Sequence, residues 1–362
     1  MFVFGFHRQE CIVGAKPERT QSLEERTIQS DTKPKKTQNP MTDIVLHHYP
    51  ASPFAEKIRL LLGYKRASWY SVEIPMMMPK PKLMPLTGGY RKTPVLQIAA
   101  DIYCDTALIL DELHQRLPDP LLLDEAKLSD IALAAYADSS LFAASVSWAF
   151  QPSSMADFFQ GRSDDFVQAF LADRKALRAS SIVPRPSLGQ AKDRLELALA
   201  ALENQLSDCR SFVWGTSPAR ADFSLFHPLW FIQQAKSVAG ILDAYPQVGL
   251  WLDRMRAFGH GQPQPISADE ALALAAQSTP LAIDNHAKAS LQTAQVAEGL
   301  QLDAWVEVKP SDYGLDPVRG RLCFADSKRI TIAREVEGLG LLHVHFPQAG
   351  YQLSVCKHAP DS

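Results

Sequence analysis

Ser52 ends the turn in "HHYPASPFAEKIRLLL" and stands just before a run with helical spacing, with proline at the first helical position. Two chemistries fit that placement. A serine hydroxyl is a good helix N-cap, and proline is pre-shaped for the position after it. The same hydroxyl, joined to the N–H groups and the positive end of the helix dipole, also makes a small anion site, suited for example to a thiolate.

The elements that must hold these groups follow from periodicity. "DIVLHHY" reads as a strand, and Pro53 to Leu62 as a helix with Phe54, Ile58, Leu61 and Leu62 on one face, stopped by Gly63. "SWYSVEI" is a second strand, and "PVLQI" and "IYC" form a hairpin that leads into the helix "DTALILDELHQRL". The order β-α-β, loop, β-β-α is that of a thioredoxin-like fold. From Leu128 the pattern is helical in five segments, with "DEALALAAQ" as a sixth, which predicts a bundle packed on the α/β domain. After Pro280, "AWVEV", "GRLCFA", "RITIAR", "GLLHVHF" and "YQLSV" are short strands between turn signals and predict a small barrel or rolled sheet.

The fold class is therefore α/β plus all-α, followed by a small all-β domain. Its expected limits are a disordered extension over 1–40, a thioredoxin-like domain over 41–118, a helical domain over 126–278, a linker over 279–299 and a β domain over 300–362. Because Met41 directly opens the first patterned segment, the natural chain is expected to start there.

Composition narrows the partners. A net charge of −3 with no long basic block gives no electrostatic reason to expect nucleic acid, and no apolar run approaches the roughly 18 residues of a membrane span. The five cysteines are odd in number, scattered and without a CxxC pair, which fits a reducing cytoplasm and argues against disulfides or structural zinc. Cys104 lies in an apolar strand and reads as a buried, inert thiol. Met76, Met77, Met78 and Met84 read as cover for apolar surface or as lining of a hydrophobic pocket. His343 and His345, with Cys356 and His358 near in sequence, read as ordinary half-exposed strand histidines, so no metal is expected.

Four segments in order, "SPFAEKIRLLL", "KTPVLQI", "YCDTALIL" and "FVWGTSPARADFSLF", together with "YPQVGLWLDRMRAF", resemble the cytosolic glutathione S-transferase family over roughly Met41 to Gly261. The resemblance implies a homodimeric enzyme that binds glutathione as co-substrate. It places Ser52 where a serine-type active site meets the glutathione sulfur, with Tyr49 as runner-up. It assigns Phe54, Lys92, Thr93, Pro94, Asp105 and Thr106 to glutathione: Lys92 to the glycine carboxylate, Thr93 and a cis-Pro94 to the cysteinyl backbone, and Asp105 and Thr106 to the γ-glutamyl group. Two departures stand out. Asp105-Thr106 replaces the commoner glutamate-serine, and Ala219 occupies the usual cap position of a central helix, leaving Asp222 without its reciprocal partner.

The physics of the residues agrees. Holding a thiol of pKa near 8.5 as thiolate at neutral pH requires about 2.7 kcal/mol. A hydrogen bond to a charged group contributes about 1.5–3 kcal/mol and a helix N-terminus about 0.3–1 more. Serine thus suffices as a donor and need not be a nucleophile. The expected activity is conjugation of glutathione to a small apolar electrophile, with isomerase and lyase variants open in the same site. The alternative is a non-catalytic binding or scaffolding protein that acts through the β-rich tail.

Overall fold

The computed structural model describes residues 44–122, 127–181, 184–283 and 300–356. The expectations for residues 1–40, for a start at Met41 and for most of the linker fall outside the described residues. So does His358.

Strand β1 (Ile44–His48) leads into helix α1 (Pro53–Tyr64) and strand β2 (Ser68–Glu73), which pairs parallel with β1. A short helix α2 (Met84–Thr87) interrupts the Met/Pro/Lys loop. Strands β3 (Val95–Ile98) and β4 (Asp101–Cys104) form the antiparallel hairpin, and helix α3 (Thr106–Arg116) follows. Alternation along β1 divides the two faces of this sheet. Ile44 and Leu46 join the core made with α1, α3 and the helical domain, whereas Val45 faces a second core.

The helical domain comprises α4 (Leu128–Tyr136), a π-helical turn (Ala137–Leu141), α5 (Phe142–Ala149), α6 (Met155–Phe159), α7 (Asp164–Arg178), α8 (Leu188–Leu206), α9 (Arg220–Gln234) and α10 (Pro246–Arg256). Ala219 has no side-chain acceptor to cap α9, yet Asp222 is not left without partners. Its carboxylate accepts from the N–H groups of Ala219 and Val213 and from the Trp251 indole, each at 2.9 Å. Among the described residues, no helix is long and apolar enough to cross a membrane.

Strand β5 (Gln262–Pro265) was hidden in the sequence by its two prolines. It adds parallel to β2 as an edge strand. Only alternate N–H groups face the neighbour in such a strand, and Gln262 and Ile266 supply them to Ala67 and Ser71. Helix α11 (Ala268–Ala276) then covers the second core.

The C-terminal strands β6 (Trp305–Pro310), β7 (Val318–Ala325), β8 (Arg329–Val336), β9 (Gly340–Pro347) and β10 (Tyr351–Val355) match the expected segments, but the expectation of a barrel is corrected. They do not close on themselves. β9 pairs parallel with β4, giving one ten-stranded sheet in the order β10-β6-β7-β8-β9-β4-β3-β1-β2-β5. An unpaired β4 edge would leave a row of backbone donors and acceptors unsatisfied, and β9 fills it. Val306, Leu322, Ile332 and Val344 share the second core with Val45, Val95 and Ile102.

Two predictions follow from this packing. A Cβ on Gly63 would lie 2.0 Å from the carbonyl oxygen of Gly259, where α1 meets the chain beyond α10. Gly63→Ala should therefore cost about 1–3 kcal/mol, read as a lower urea midpoint at unchanged slope. The second concerns acid. His47 is buried against Gln97, 2.8 Å away, and burial brings its pKa down to about 4. Below pH 6.5 the unfolded chain binds a proton that the folded chain refuses, so stability falls as pH falls. Between pH 7 and pH 5 this residue should remove about 2 kcal/mol, and His47→Gln should flatten the acid limb of urea stability by that amount.

Candidate functional site

Val95 pairs with both His47 on β1 and Cys104 on β4. The segment after β1, the residues before β3 and the start of α3 are thereby drawn to one end of the sheet. These segments carry Tyr49 and Ser52, Thr93 and Pro94, and Asp105 and Thr106.

Arg59 fixes the turn after β1. Its guanidinium donates to the carbonyls of Tyr49 (3.2 Å) and Pro50 (2.8 Å) while Glu56 holds it from the other side at 2.6 Å. His48 Nδ1 lies 3.0 Å from the same guanidinium, and burial together with the Arg59 charge lowers its pKa to about 3, so it stays neutral. Ser52 donates its N–H to the Tyr49 carbonyl (3.1 Å), and its Oγ accepts from the N–H of Ala55 at 3.2 Å. A hydroxyl has one proton and two lone pairs. Capping uses a lone pair, so the proton remains to be donated and the two roles are compatible.

Thr93–Pro94 is cis. Lys80 Nζ donates to Thr93 Oγ1 (2.9 Å) and to the Arg91 carbonyl (3.1 Å), and stands 5.9 Å from the Tyr49 ring centroid. Burial and the nearby Arg174 and Arg91 charges bring its pKa down to about 7. Asp105, at φ +77°, caps α3 by accepting from the Ala107 N–H at 2.9 Å. Burial raises its pKa, against the pull of that N–H, of Lys92 and of Lys57.

A charged group lies under the start of α3. Lys57, 1% exposed, reaches Thr106 Oγ1 (3.3 Å) and Asp138 (2.7 Å), and His227 Nε2 holds the other Asp138 oxygen at 2.9 Å. Burial opposes the Asp138 charge, but Lys57 and His227 outweigh it and hold the pKa at about 2. Asp138 sits in the π-helical turn, which re-aims side chains relative to a regular helix. Phe54 packs on this group, its ring 4.5 Å from that of His227 and 4.6 Å from that of Phe142.

The C-terminal strands reach the same place. Lys92 Nζ is 2.7 Å from Asp312 Oδ1 and 4.1 Å from the Tyr313 ring centroid. Tyr313 is deep enough that burial, and then the charges of Asp312, Asp105 and Tyr49, raise the pKa of its hydroxyl. Tyr351 donates to Asp105 Oδ2 at 3.1 Å. Sequence reasoning missed Lys57, Lys80, Asp138, His227, Asp312, Tyr313 and Tyr351. A lysine inside the apolar run "EKIRLLL" was the one available signal. "SDYGLDP" carried only its turn character.

His343 and His345 are buried, which corrects the expectation of half-exposed side chains. They lie beside Asp101, at 3.6 and 2.8 Å, and among the described residues this trio has the spacing of a metal site. Outside the trio, His345 Nδ1 bonds to Thr331 at 2.9 Å and the second Asp101 oxygen accepts from the Leu281 N–H at 2.8 Å, while the buried His343 Nδ1 has no hydrogen-bond partner among the described residues. The trio reads as a polar junction between β4 and β9. Cys104 is buried, and burial raises its thiol pKa well above the ordinary value. Met76 and Met84 pack on the second core.

Residues 46–121 match the family model for the glutathione S-transferase N-terminal domain, and residues 176–257 match that for the C-terminal domain. No curated protein matches the chain. Among solved structures, a GST-like protein from Pseudomonas syringae is 38% identical, with a TM-score of 0.72 over 87% of this chain and 100% of its own. A glutathione S-transferase from Rhodospirillum rubrum F11 (19% identity, 59% of this chain and 88% of its own, TM-score 0.45) is more distant. So is the beta-etherase LigF from Sphingobium sp. strain SYK-6 (18%, 60% and 96%, TM-score 0.43). At the identity and coverage of the Pseudomonas protein, with both domain models in order, the chain belongs to the glutathione S-transferase family.

Proposed function

We propose that the protein is a glutathione transferase with a serine-type site. The observation that carries this reading is the Ser52 hydroxyl, seated at the N-terminus of α1 with its proton left over after capping. Thr93, cis-Pro94, Asp105 and Thr106 converge on the same end of the sheet. Glutathione would lay its cysteinyl backbone along Thr93-Pro94 and its γ-glutamyl end at Asp105 and Thr106. Ser52 would donate to the sulfur. Lys57 donates to Thr106 Oγ1 from behind, which leaves the Thr106 proton for a γ-glutamyl carboxylate.

In the reaction the ligand thiol loses its proton to solvent, and the thiolate, held by Ser52 and the helix N-terminus, attacks an apolar electrophile. A carbon–sulfur bond forms as the electrophile's leaving group departs with its electron pair, or as its activated double bond takes up the charge and a proton. Proximity and a dry wall carry most of the acceleration. Phe54 and Phe142 supply apolar surface near the start of α1. We place the enzyme in the cytoplasm as a homodimer. Leu121, Leu128 and Ile131, exposed apolar side chains around the start of α4, support such an interface.

One observation favours the second reading, a non-catalytic binding or scaffolding protein. Asp312 and Tyr351 of the C-terminal strands already contact Lys92 and Asp105. An ultraviolet difference titration of bound glutathione separates the readings. The wild type should depress the thiol pKa, and Ser52→Ala should raise it again by about 1–2 units and lower kcat/KM toward 1-chloro-2,4-dinitrobenzene roughly 10- to 100-fold. Tight binding with no depressed thiol and no turnover would leave the non-catalytic reading standing.

A further inference from the structure

The cation that should receive the terminal carboxylate of the thiol ligand is already engaged from within the chain. Lys92 Nζ pairs with Asp312 at 2.7 Å, and the lysine side chain is 13% exposed against 48% for the aspartate. The loop bearing Asp312 is anchored on both sides. Gly314 donates its N–H to the Leu177 carbonyl at 3.0 Å, and Ser181 Oγ donates to the Asp312 carbonyl at 3.0 Å. Ser311 is tied to the Gly350 carbonyl by its N–H at 2.9 Å and by its hydroxyl at 3.0 Å. Gly314 sits at φ +61°, and a Cβ there would come within 2.9 Å of Leu177, so the loop lies close against α7. Tyr313 adds its ring to Lys92, with Arg178 5.6 Å from the same ring.

The backbone of Asp312 is therefore held beside Lys92, and the two side chains together form a nearly neutral pair. A second carboxylate brought to Lys92 would have to share that cation with Asp312, and the two like charges would repel across a half-buried site. A ligand end with no charge meets no such repulsion, and an amide N–H there could donate to Asp312. Given a γ-glutamyl-cysteinyl thiol as ligand, the reading on which this rests, we propose that Asp312 is a specificity determinant. It makes the site favour, relative to glutathione, thiol peptides in which the C-terminal carboxylate is amidated or esterified.

The test is calorimetric titration of the full chain, as wild type and Asp312→Asn, with glutathione and with its glycine monoethyl ester at fixed ionic strength. The wild type should bind the ester at least as tightly as glutathione. Asp312→Asn should gain roughly five- to tenfold for glutathione while the ester changes less than about twofold, because only the free acid meets the removed charge. Adding Lys92→Gln to Asp312→Asn should abolish the gain. A wild type that prefers glutathione, or an Asp312→Asn that shifts both ligands alike or neither, would overturn the assignment while leaving the glutathione reading intact. Failure of every protein to bind either thiol would overturn that reading, and the assignment with it.

Discussion

The pairing of β9 with β4 is the contact on which the rest of the molecule depends. A thioredoxin-like sheet ends at β4, and a free strand edge with a hydrophobic face invites another strand. Here the partner comes from the same chain, in a parallel register that sets Asp101 against His343 and Tyr103 against His345. Once β9 is placed, the antiparallel run from β8 to β10 must continue outward, and the Tyr351 hydroxyl comes within hydrogen-bonding distance of Asp105. The loop between β6 and β7 is carried to Lys92 by the same constraint.

This arrangement changes the electrostatics of the site. Lys57 is buried beside Asp138 and Thr106, and the pair tolerates burial because the charges are matched at 2.7 Å and His227 bonds to the second carboxylate oxygen. Lys92 is matched from the opposite side by Asp312. The two lysines whose charges act on Asp105 thus each have a carboxylate of their own. What differs is where the matching acid comes from: the helical domain for Lys57 and the C-terminal strands for Lys92. The C-terminal strands are in that sense part of the site's charge pattern as well as an extension of its sheet.

Much of this was legible in the sequence. Strand alternation, helical spacing and the turn residues marked nearly every long element, and three of the four short motifs marked the residues that converge beside Val95. The failures have physical causes. Pro263 and Pro265 disguised β5, because proline is tolerated where an edge strand turns its missing N–H outward. Short strands with turn signals suggested a barrel because strand pattern alone does not say which edges pair. His343 and His345 looked half-exposed because an alternating strand has one face for water, and here that face is covered.

The sequence by itself determined local structure and the chemistry available: a capping serine after Tyr49, a Thr-Pro pair before a strand, an acid and a hydroxyl at the start of a helix. These signals act over a few residues, through spacing and backbone preference. Only the tertiary structure decided which charges meet. Lys92 and Asp312 are 220 residues apart, and Tyr351 lies 246 residues from Asp105. No local preference encodes such contacts. They follow from β9 choosing the β4 edge, a choice made by the joint burial of apolar faces and the satisfaction of backbone hydrogen bonds across the whole sheet.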